Sequence, residues 1–230
     1  MILATGSNGL LGVELQNHLS AHPVLWTTRE DFDITDRDAV WKFFFEARPS
    51  IIFHMAAWTD VAGAETNKAA CWNVNVNGTR NIVQAAKFIG ARVVYISTDY
   101  VFDGELGRYN PLDAPNPVNY YALTKMVGEG LVSSSLSSLI IRTSFKPHTF
   151  NHPAACTDMW TSADYVDIIA PLVAKVAVLG YTGIYHVGTG RKSIFELAKR
   201  RTPLVKAITR ESLGVSLPRD VSFGRVVHCE

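Results

Sequence analysis

Cysteine is scarce. Cys71, Cys156 and Cys229 are an odd, widely spaced set with no C-x-x-C pair, which excludes a disulfide framework and a thiolate zinc site, and points to reduced thiols in a cytoplasmic setting. An excess of one charge is also missing. Twenty-two Lys and Arg against 21 Asp and Glu leave a net charge of +1, too little for a field that would hold nucleic acid or an anionic membrane surface. No apolar run approaches the roughly 20 residues that cross a bilayer, and no basic leader precedes Met1-Ile2-Leu3-Ala4, so structure is expected from the first residue. Repeats and low-complexity tracts are absent too. With 47% hydrophobic and 10% aromatic residues, the chain is expected to be globular, and 230 residues suffice for a single α/β core.

The apolar pattern switches period within the first twenty residues. Ile2 to Ala4 reads as a strand, Gly6-Ser7-Asn8-Gly9 as a turn, and Leu10, Leu11, Val13, Leu15 and Leu19 as a helix face. Strand-like runs recur at Val24 to Thr27, Ser50 to His54, Val93 to Ile96, Leu139 to Ile141 and Ile184 to Val187. Between them, helices are expected from Thr35, with Asp38 in a weak capping box, and over Ala69 to Phe88, ended by Gly90. Strands that are apolar along their whole length and alternate with helices predict an α/β fold: a doubly wound, Rossmann-like parallel sheet. Residues 103–119 carry two glycines and three prolines and are expected to be a long loop rimming the site. A helix is expected from Lys192 to Arg201, opened by Ser193, and no element is assigned from Arg210 onward. The expected division is a dinucleotide-binding domain over 1–145 and, over 146–230, a small, reduced C-terminal substrate lobe interleaved with late sheet elements.

Gly6, Gly9 and Gly12 form G-x-x-G-x-x-G between that first strand and helix. Glycine lets backbone N–H groups approach a pyrophosphate, and the helix N-terminus adds its positive end; the alternative is a purely structural turn. The second strand ends in Thr27-Thr28-Arg29, with no acid for a ribose 2′-hydroxyl, so Arg29 favours a 2′-phosphate unless it is simply solvated. Asp33, followed by Ile34, is either an adenine-side contact or a turn residue. Tyr121 and Lys125 stand four residues apart, on one face of a helix. An ammonium there can lower the pKa of a phenol, ordinarily about 10. With Ser97-Thr98 at the end of a buried strand, this is a hydroxyl, phenol and ammonium set able to protonate a carbonyl oxygen.

These glycines, Ala56-Ala57, Ser97 through Gly104, Tyr121 with Lys125, and Arg142-Thr143-Ser144 together resemble the extended short-chain dehydrogenase/reductases, most closely the dTDP-4-dehydrorhamnose reductase type of nucleotide-sugar metabolism and dTDP-rhamnose biosynthesis. The resemblance implies an oxidoreductase that reduces a 4-keto-6-deoxy sugar nucleotide with NADPH, or with NADH. Catalysis would rest on Thr98, Tyr121 and Lys125, with Lys125 binding the nicotinamide ribose and lowering the Tyr121 pKa. The cofactor would meet Gly6, Ser7, Asn8, Gly9, Leu10, Leu11, Arg29, Asp33, Ile34, Ala56, Ala57, Trp58, Asn75, Ser97, Tyr121, Lys125, Thr143 and Ser144. Asn75 could equally bond backbone within its helix. Thr59, Val61, Thr98, Tyr100 and Phe145 would face the sugar, although Trp58, Tyr100 and Phe145 could equally be core aromatics. Phe145 stands where the family usually has tryptophan, and the segment before Thr157 is shortened. No metal is expected, and a homodimer is allowed. The alternatives are a non-catalytic dinucleotide-binding regulatory subunit and an epimerase or dehydratase of the same superfamily; Tyr100, where the dehydratases typically place a glutamate, counts against dehydration.

Overall fold

Every residue of the first strand, β1 (Ile2–Thr5), is buried, and its side chains alternate between two apolar layers: Ile2 and Ala4 pack on one side, Leu3 on the other. The same alternation runs through β3 (Ile51–His54), β4 (Arg92–Thr98) and β5 (Leu139–Thr143). The computed structural model describes residues 1–134, 137–213 and 217–226; Cys229 lies outside them. With β2 (Val24–Thr27) and β10 (Gly183–His186), these strands form a six-stranded parallel sheet in the order β10-β5-β4-β3-β1-β2.

One face is covered by α1 (Leu10–His18) and α7 (Val166–Val178), through Leu11, Leu15, Val166, Ile169 and Val173. The other carries α2 (Arg37–Ala47), α5 (Thr79–Ile89) and α6 (Tyr120–Ser133), through Val40, Phe44, Ile82, Ala86 and Val132. This is the doubly wound α/β arrangement expected from the alternation. Because β1 lies between β2 and β3, successive crossovers leave it in opposite directions. A crevice therefore opens at the carboxyl ends of β1 and β3.

Several boundaries differ from the sequence expectation. The second helix opens at Arg37 rather than Thr35, because Asp36 is its cap: the carboxylate accepts from the N–H groups of Asp38 and Ala39. The expected helix over 69–88 comes in pieces: α4 (Lys68–Trp72), a π-helical turn over Asn73–Gly78, then α5, which Gly90 ends at φ 74°. A short α3 (Val61–Thr66), capped by Asp60, and the whole of α7 were not anticipated. The helix expected over 192–201 is shorter, α8 (Ile194–Lys199), opened by a reciprocal capping box between Ser193 and Glu196.

Beyond β5 the chain does two things. It returns α7 and β10 to the layers of the main sheet, and it builds three two-stranded ribbons: β6 (Phe145–Lys146) with β9 (Asp164–Tyr165), β7 (Ala154–Cys156) with β12 (Lys206–Ile208), and β8 (Trp160–Thr161) with β11 (Lys192–Ser193). Residues 217–226 form a strap between β8 and the 103–119 loop. The N–H of Val221 donates to Trp160, and the N–H of Tyr109 donates to Ser222.

Candidate functional site

At the switch point the chain turns sharply at Gly6, whose φ is 73°; a Cβ there would stand 2.7 Å from the backbone nitrogen of Ala56. A Cβ on Gly12 would meet the Gly6 carbonyl oxygen at the same distance, so this glycine lets α1 pack against its own turn. Gly9 differs. It has ordinary extended backbone, and a Cβ there would stand 3.2 Å from its nearest neighbour, the Gly6 carbonyl oxygen, a contact that asks the turn to yield by a few tenths of an ångström, while the rest of a side chain would enter the groove that Gly9 lines. No side chain caps α1 and its first turn holds no acid, which leaves the positive end of the helix for an anion.

The groove above this turn has a volume of about 680 Å³ and runs from Thr28 and Arg29 to Phe145 and Lys146. Of the residues expected at the cofactor and substrate, it gathers Gly6, Asn8, Gly9, Leu10, Leu11, Arg29, Asp33, Ile34, Ala56, Ala57, Trp58, Thr59, Val61, Ser97, Thr98, Tyr100, Tyr121, Lys125, Thr143, Ser144 and Phe145. Two expected cofactor contacts lie behind its wall. Ser7 is buried and donates to the Ala4 carbonyl. Asn75, buried in the π turn, clamps Trp58 by accepting from its N–H at 2.8 Å and donating to its carbonyl at 3.1 Å, and it also donates to the Thr124 hydroxyl at 2.9 Å. Thr124 donates in turn to the Tyr121 carbonyl, so Asn75 braces the 56–58 loop against the helix carrying Tyr121.

A second brace sets the crevice itself. The N–H of Ala56 and the ring of His54 both meet the Thr5 hydroxyl, and the other ring nitrogen of His54 meets Thr79, whose hydroxyl donates to the Asn75 carbonyl. The arrangement that satisfies all of these is a neutral imidazole with its proton on Nε2. Burial, reinforced by the Lys125 charge, holds the His54 pKa down at about 3.

Thr98 ends β4 and Asp99 opens the 3-10 turn after it, and α6 brings Tyr121 and Lys125 beneath them, its N-terminus fixed by the Asn119 side chain accepting from the N–H of Ala122. Ser97 donates to Glu129 at 2.6 Å, and Arg142 binds the same carboxylate through two hydrogen bonds of 2.9 and 2.7 Å, tying the ends of β4 and β5 to α6. Lys125 is 3% exposed, and its ammonium lies 4.1 Å from the Tyr95 ring centroid. Burial pulls its pKa down to about 7, against the opposing pull of Glu129. The expected depression of Tyr121 by Lys125 is not found: burial and the Asp99 carboxylate push the phenol up, and the Thr98 hydroxyl alone pulls it back. Tyr121 is thus protonated at neutral pH, as donation requires, but it is a weaker acid than a free phenol, so what the site offers it is position and not a lowered pKa.

Arg29 is expected to read a 2′-phosphate. Its side chain is 84% exposed and pairs with Asp33 at 2.8 Å, while Asp33 also caps Thr35. The groove is also lined by Gly12 of the glycine motif and by Thr27 and Thr28 at the end of β2, and by residues not expected there: Thr5, Phe32, Met55, Val74, Ile96, Asp99 and Lys146. Asp99 was the findable one, since a carboxylate directly after a buried Ser-Thr strand end is a signal in itself. Burial raises its pKa to about 6, while Lys146 and the hydroxyls of Thr98 and Thr161 oppose the rise.

The family model for the RmlD substrate binding domain matches residues 1–151. The dTDP-4-keto-6-deoxy-D-glucose reductase of Streptomyces niveus is 31% identical over 226 residues, covering 89% of this chain and 78% of that protein. Methionine adenosyltransferase 2 subunit beta of Bos taurus is 33% identical over 151 residues, covering 61% of this chain and 45% of that one. By sequence, the chain spans about half the length of the curated dTDP-4-dehydrorhamnose reductases it matches, those of Mycobacterium tuberculosis and Streptomyces griseus among them. Among solved structures, the dTDP-4-dehydrorhamnose reductase of Bacillus anthracis in complex with NADP superposes with a TM-score of 0.88 at 30% identity, covering 96% of this chain and 89% of that one. With residues 1–151 of 230 matched by the family model, the chain belongs to the RmlD substrate binding domain family.

Proposed function

We propose that the protein is an NAD(P)H-dependent reductase of a 4-keto-6-deoxy sugar nucleotide. The observation that carries this is the placement of Thr98, Tyr121 and Lys125 in the same groove as the glycine turn. A dinucleotide fits that turn: Gly6 and Gly12 bring backbone close where a Cβ would collide, and the uncapped start of α1 faces the groove lining at Leu10 and Leu11. Gly6 to Leu11 would hold the pyrophosphate, Arg29 a 2′-phosphate, and Ala56, Ala57, Trp58, Thr143 and Ser144 the remainder. When bound, the reduced nicotinamide supplies a hydride. Tyr121 gives its proton to the oxygen of the carbonyl being reduced, Thr98 donates to that oxygen and orients it, and Lys125 binds the nicotinamide ribose. Thr59, Val61, Tyr100 and Phe145 face the sugar. Residues 1–145 serve as the dinucleotide-binding domain, and 146–230 contribute a reduced substrate lobe besides late sheet elements. The reading includes a cytoplasmic location and a homodimer, the latter checked by light scattering; among the described residues no helix is long and apolar enough to cross a membrane.

Oxidation of NADPH and NADH against a panel of 4-keto sugar nucleotides, with simple ketones as controls, tests the proposal. The kinship with a protein named as a subunit of methionine adenosyltransferase supports one other reading, a dinucleotide-binding regulatory subunit. Tight dinucleotide binding without turnover on any member of the panel selects that reading.

A further inference from the structure

Lys146 lies at the sugar end of the groove, on β6, where pairing with Tyr165 of β9 fixes its backbone. Together with Asp99, Tyr100 and Ser144 it lines both the main groove and a smaller cavity behind it, whose other walls include Met159, Trp160 and Pro218. Among the described residues its ammonium makes no hydrogen bond and no ion pair within 4 Å; the charge that acts on it is the Asp99 carboxylate. That carboxylate is engaged elsewhere, accepting from the Thr98 hydroxyl at 3.2 Å and from Thr161 at 3.3 Å. Lys146 is half-buried and lines the open groove, so the three N–H donors of its ammonium can turn to a molecule held there, and burial lowers its pKa.

The chemistry of the group that Lys146 would meet follows from its neighbours. Lys146 and Asp99 together carry no net charge, so they offer no field for a free anion. A hydroxyl suits both, since it can accept from an ammonium and donate to a carboxylate. Asp99 directly follows Thr98, so the ring position it borders adjoins the carbonyl that Thr98 and Tyr121 would hold. We propose that Lys146 is a specificity-determining substrate contact that donates a hydrogen bond to a sugar hydroxyl neighbouring the reduced carbonyl. This inference rests on the reductase reading.

The test compares kcat/KM for a 4-keto-6-deoxy sugar nucleotide bearing hydroxyls at C2 and C3 with its 2-deoxy and 3-deoxy analogues, in the wild type, Lys146→Met and Lys146→Arg. Hydrogen bonds to charged groups predict a loss of roughly 10- to 100-fold for Lys146→Met on the fully hydroxylated substrate. The 3-deoxy analogue should lose nothing and the 2-deoxy analogue as much as the fully hydroxylated sugar, and Lys146→Arg should recover part of the discrimination; insensitivity of the 2-deoxy analogue instead would overturn the assignment. NADPH affinity, measured by fluorescence titration, should be the same in all three proteins. Equal losses on every substrate, no loss on any, or a parallel fall in NADPH affinity would overturn the assignment while leaving the reductase reading in place. A wild-type protein that turns over none of the sugars removes the reductase reading and the assignment with it.

Discussion

The ammonium of Lys125 lies 4.1 Å from the centroid of the Tyr95 ring, with Glu129 one turn further along the same helix. The π face compensates part of the desolvation of a cation that is almost wholly buried, and the Glu129 carboxylate supplies more. Cys71 and the neutral His54 complete the ionisable surroundings on the packed elements. Lys125 is therefore poised to change charge near neutral pH.

With a folded pKa of about 7 against an ordinary 10.5, Lys125 has lost a proton across that window which the unfolded chain still holds. Stability should consequently rise with pH between these values by up to one proton's slope, and Lys125→Met should remove that slope in urea titrations run from pH 7 to 10. NADPH affinity should fall as pH rises through about 7, and Glu129→Gln should move that fall to lower pH. An affinity profile that is the same in Glu129→Gln as in the wild type would remove Glu129 from the control of Lys125.

Tyr121→Phe should lower turnover by about 10²- to 10⁴-fold with NADPH affinity nearly unchanged, the usual worth of a positioned acid. Lys125→Met should damage both, and the double variant should be far from additive because one proton transfer depends on both groups. Steady-state kinetics paired with fluorescence titration separates the two effects. Near-native turnover of Tyr121→Phe would exclude tyrosine as the donor.

The three glycines of the turn should part company. Gly6→Ala forces a Cβ against backbone at positive φ and should lower the urea midpoint by the equivalent of about 1 kcal/mol or more. Gly9→Ala should lower the midpoint less than Gly6→Ala does, since its backbone is ordinary and its closest contact is 3.2 Å rather than 2.7 Å, and Gly9→Val should abolish dinucleotide binding. Full affinity in Gly9→Val would displace the pyrophosphate from this turn.

Arg29→Ala should weaken NADPH more than NADH, by several-fold at low salt, since its guanidinium is solvent-exposed and screened. Equal losses for the two cofactors would mean that the Asp33 pair already consumes its charge.

His186 is buried among Phe223, stacked at 4.0 Å, and Phe102, and burial holds its pKa at about 3. A folded pKa below the ordinary 6.5 means that stability present above pH 6.5 is lost as pH falls towards 3. His186→Phe should flatten that loss by one proton's slope, read from urea midpoints across the window. Asp99, raised to about 6, works in the opposite direction between about 4 and 6, and His54 in the same direction as His186, so the difference between variant and wild type is the informative quantity.

The glycine turn and the Tyr121–Lys125 pair were legible because each is local: a change of hydrophobic period over ten residues, and two side chains one helical turn apart. Helix α7 was not, since its run of Val, Ile and Ala has no polar stripe and Pro171 interrupts it; it is helical because α1 and the sheet bury it on both sides. The two-residue strands β6, β8, β9 and β11 are too short to show a period at all. Lys146 became visible only when β6 returned the chain to the end of β4, a juxtaposition made by residues 47 apart in sequence. The Asn75 brace hid for another reason: a π turn changes which face a residue presents, and periodicity of 3.6 misplaces it.

The strap over 217–226 also sets an order of events. Synthesis proceeds from the N-terminus, so the glycine turn, the 56–58 loop and α6 exist before the residues that pin the 103–119 loop and close the cavity beside Lys146. The residues proposed for the dinucleotide and for the sugar interleave along the chain up to Phe145, and only the wall closed by the strap comes last. Because α7 and β10 complete the main sheet and its cover on the α1 side, the whole groove waits on residues made after position 165 before it can hold a ligand firmly.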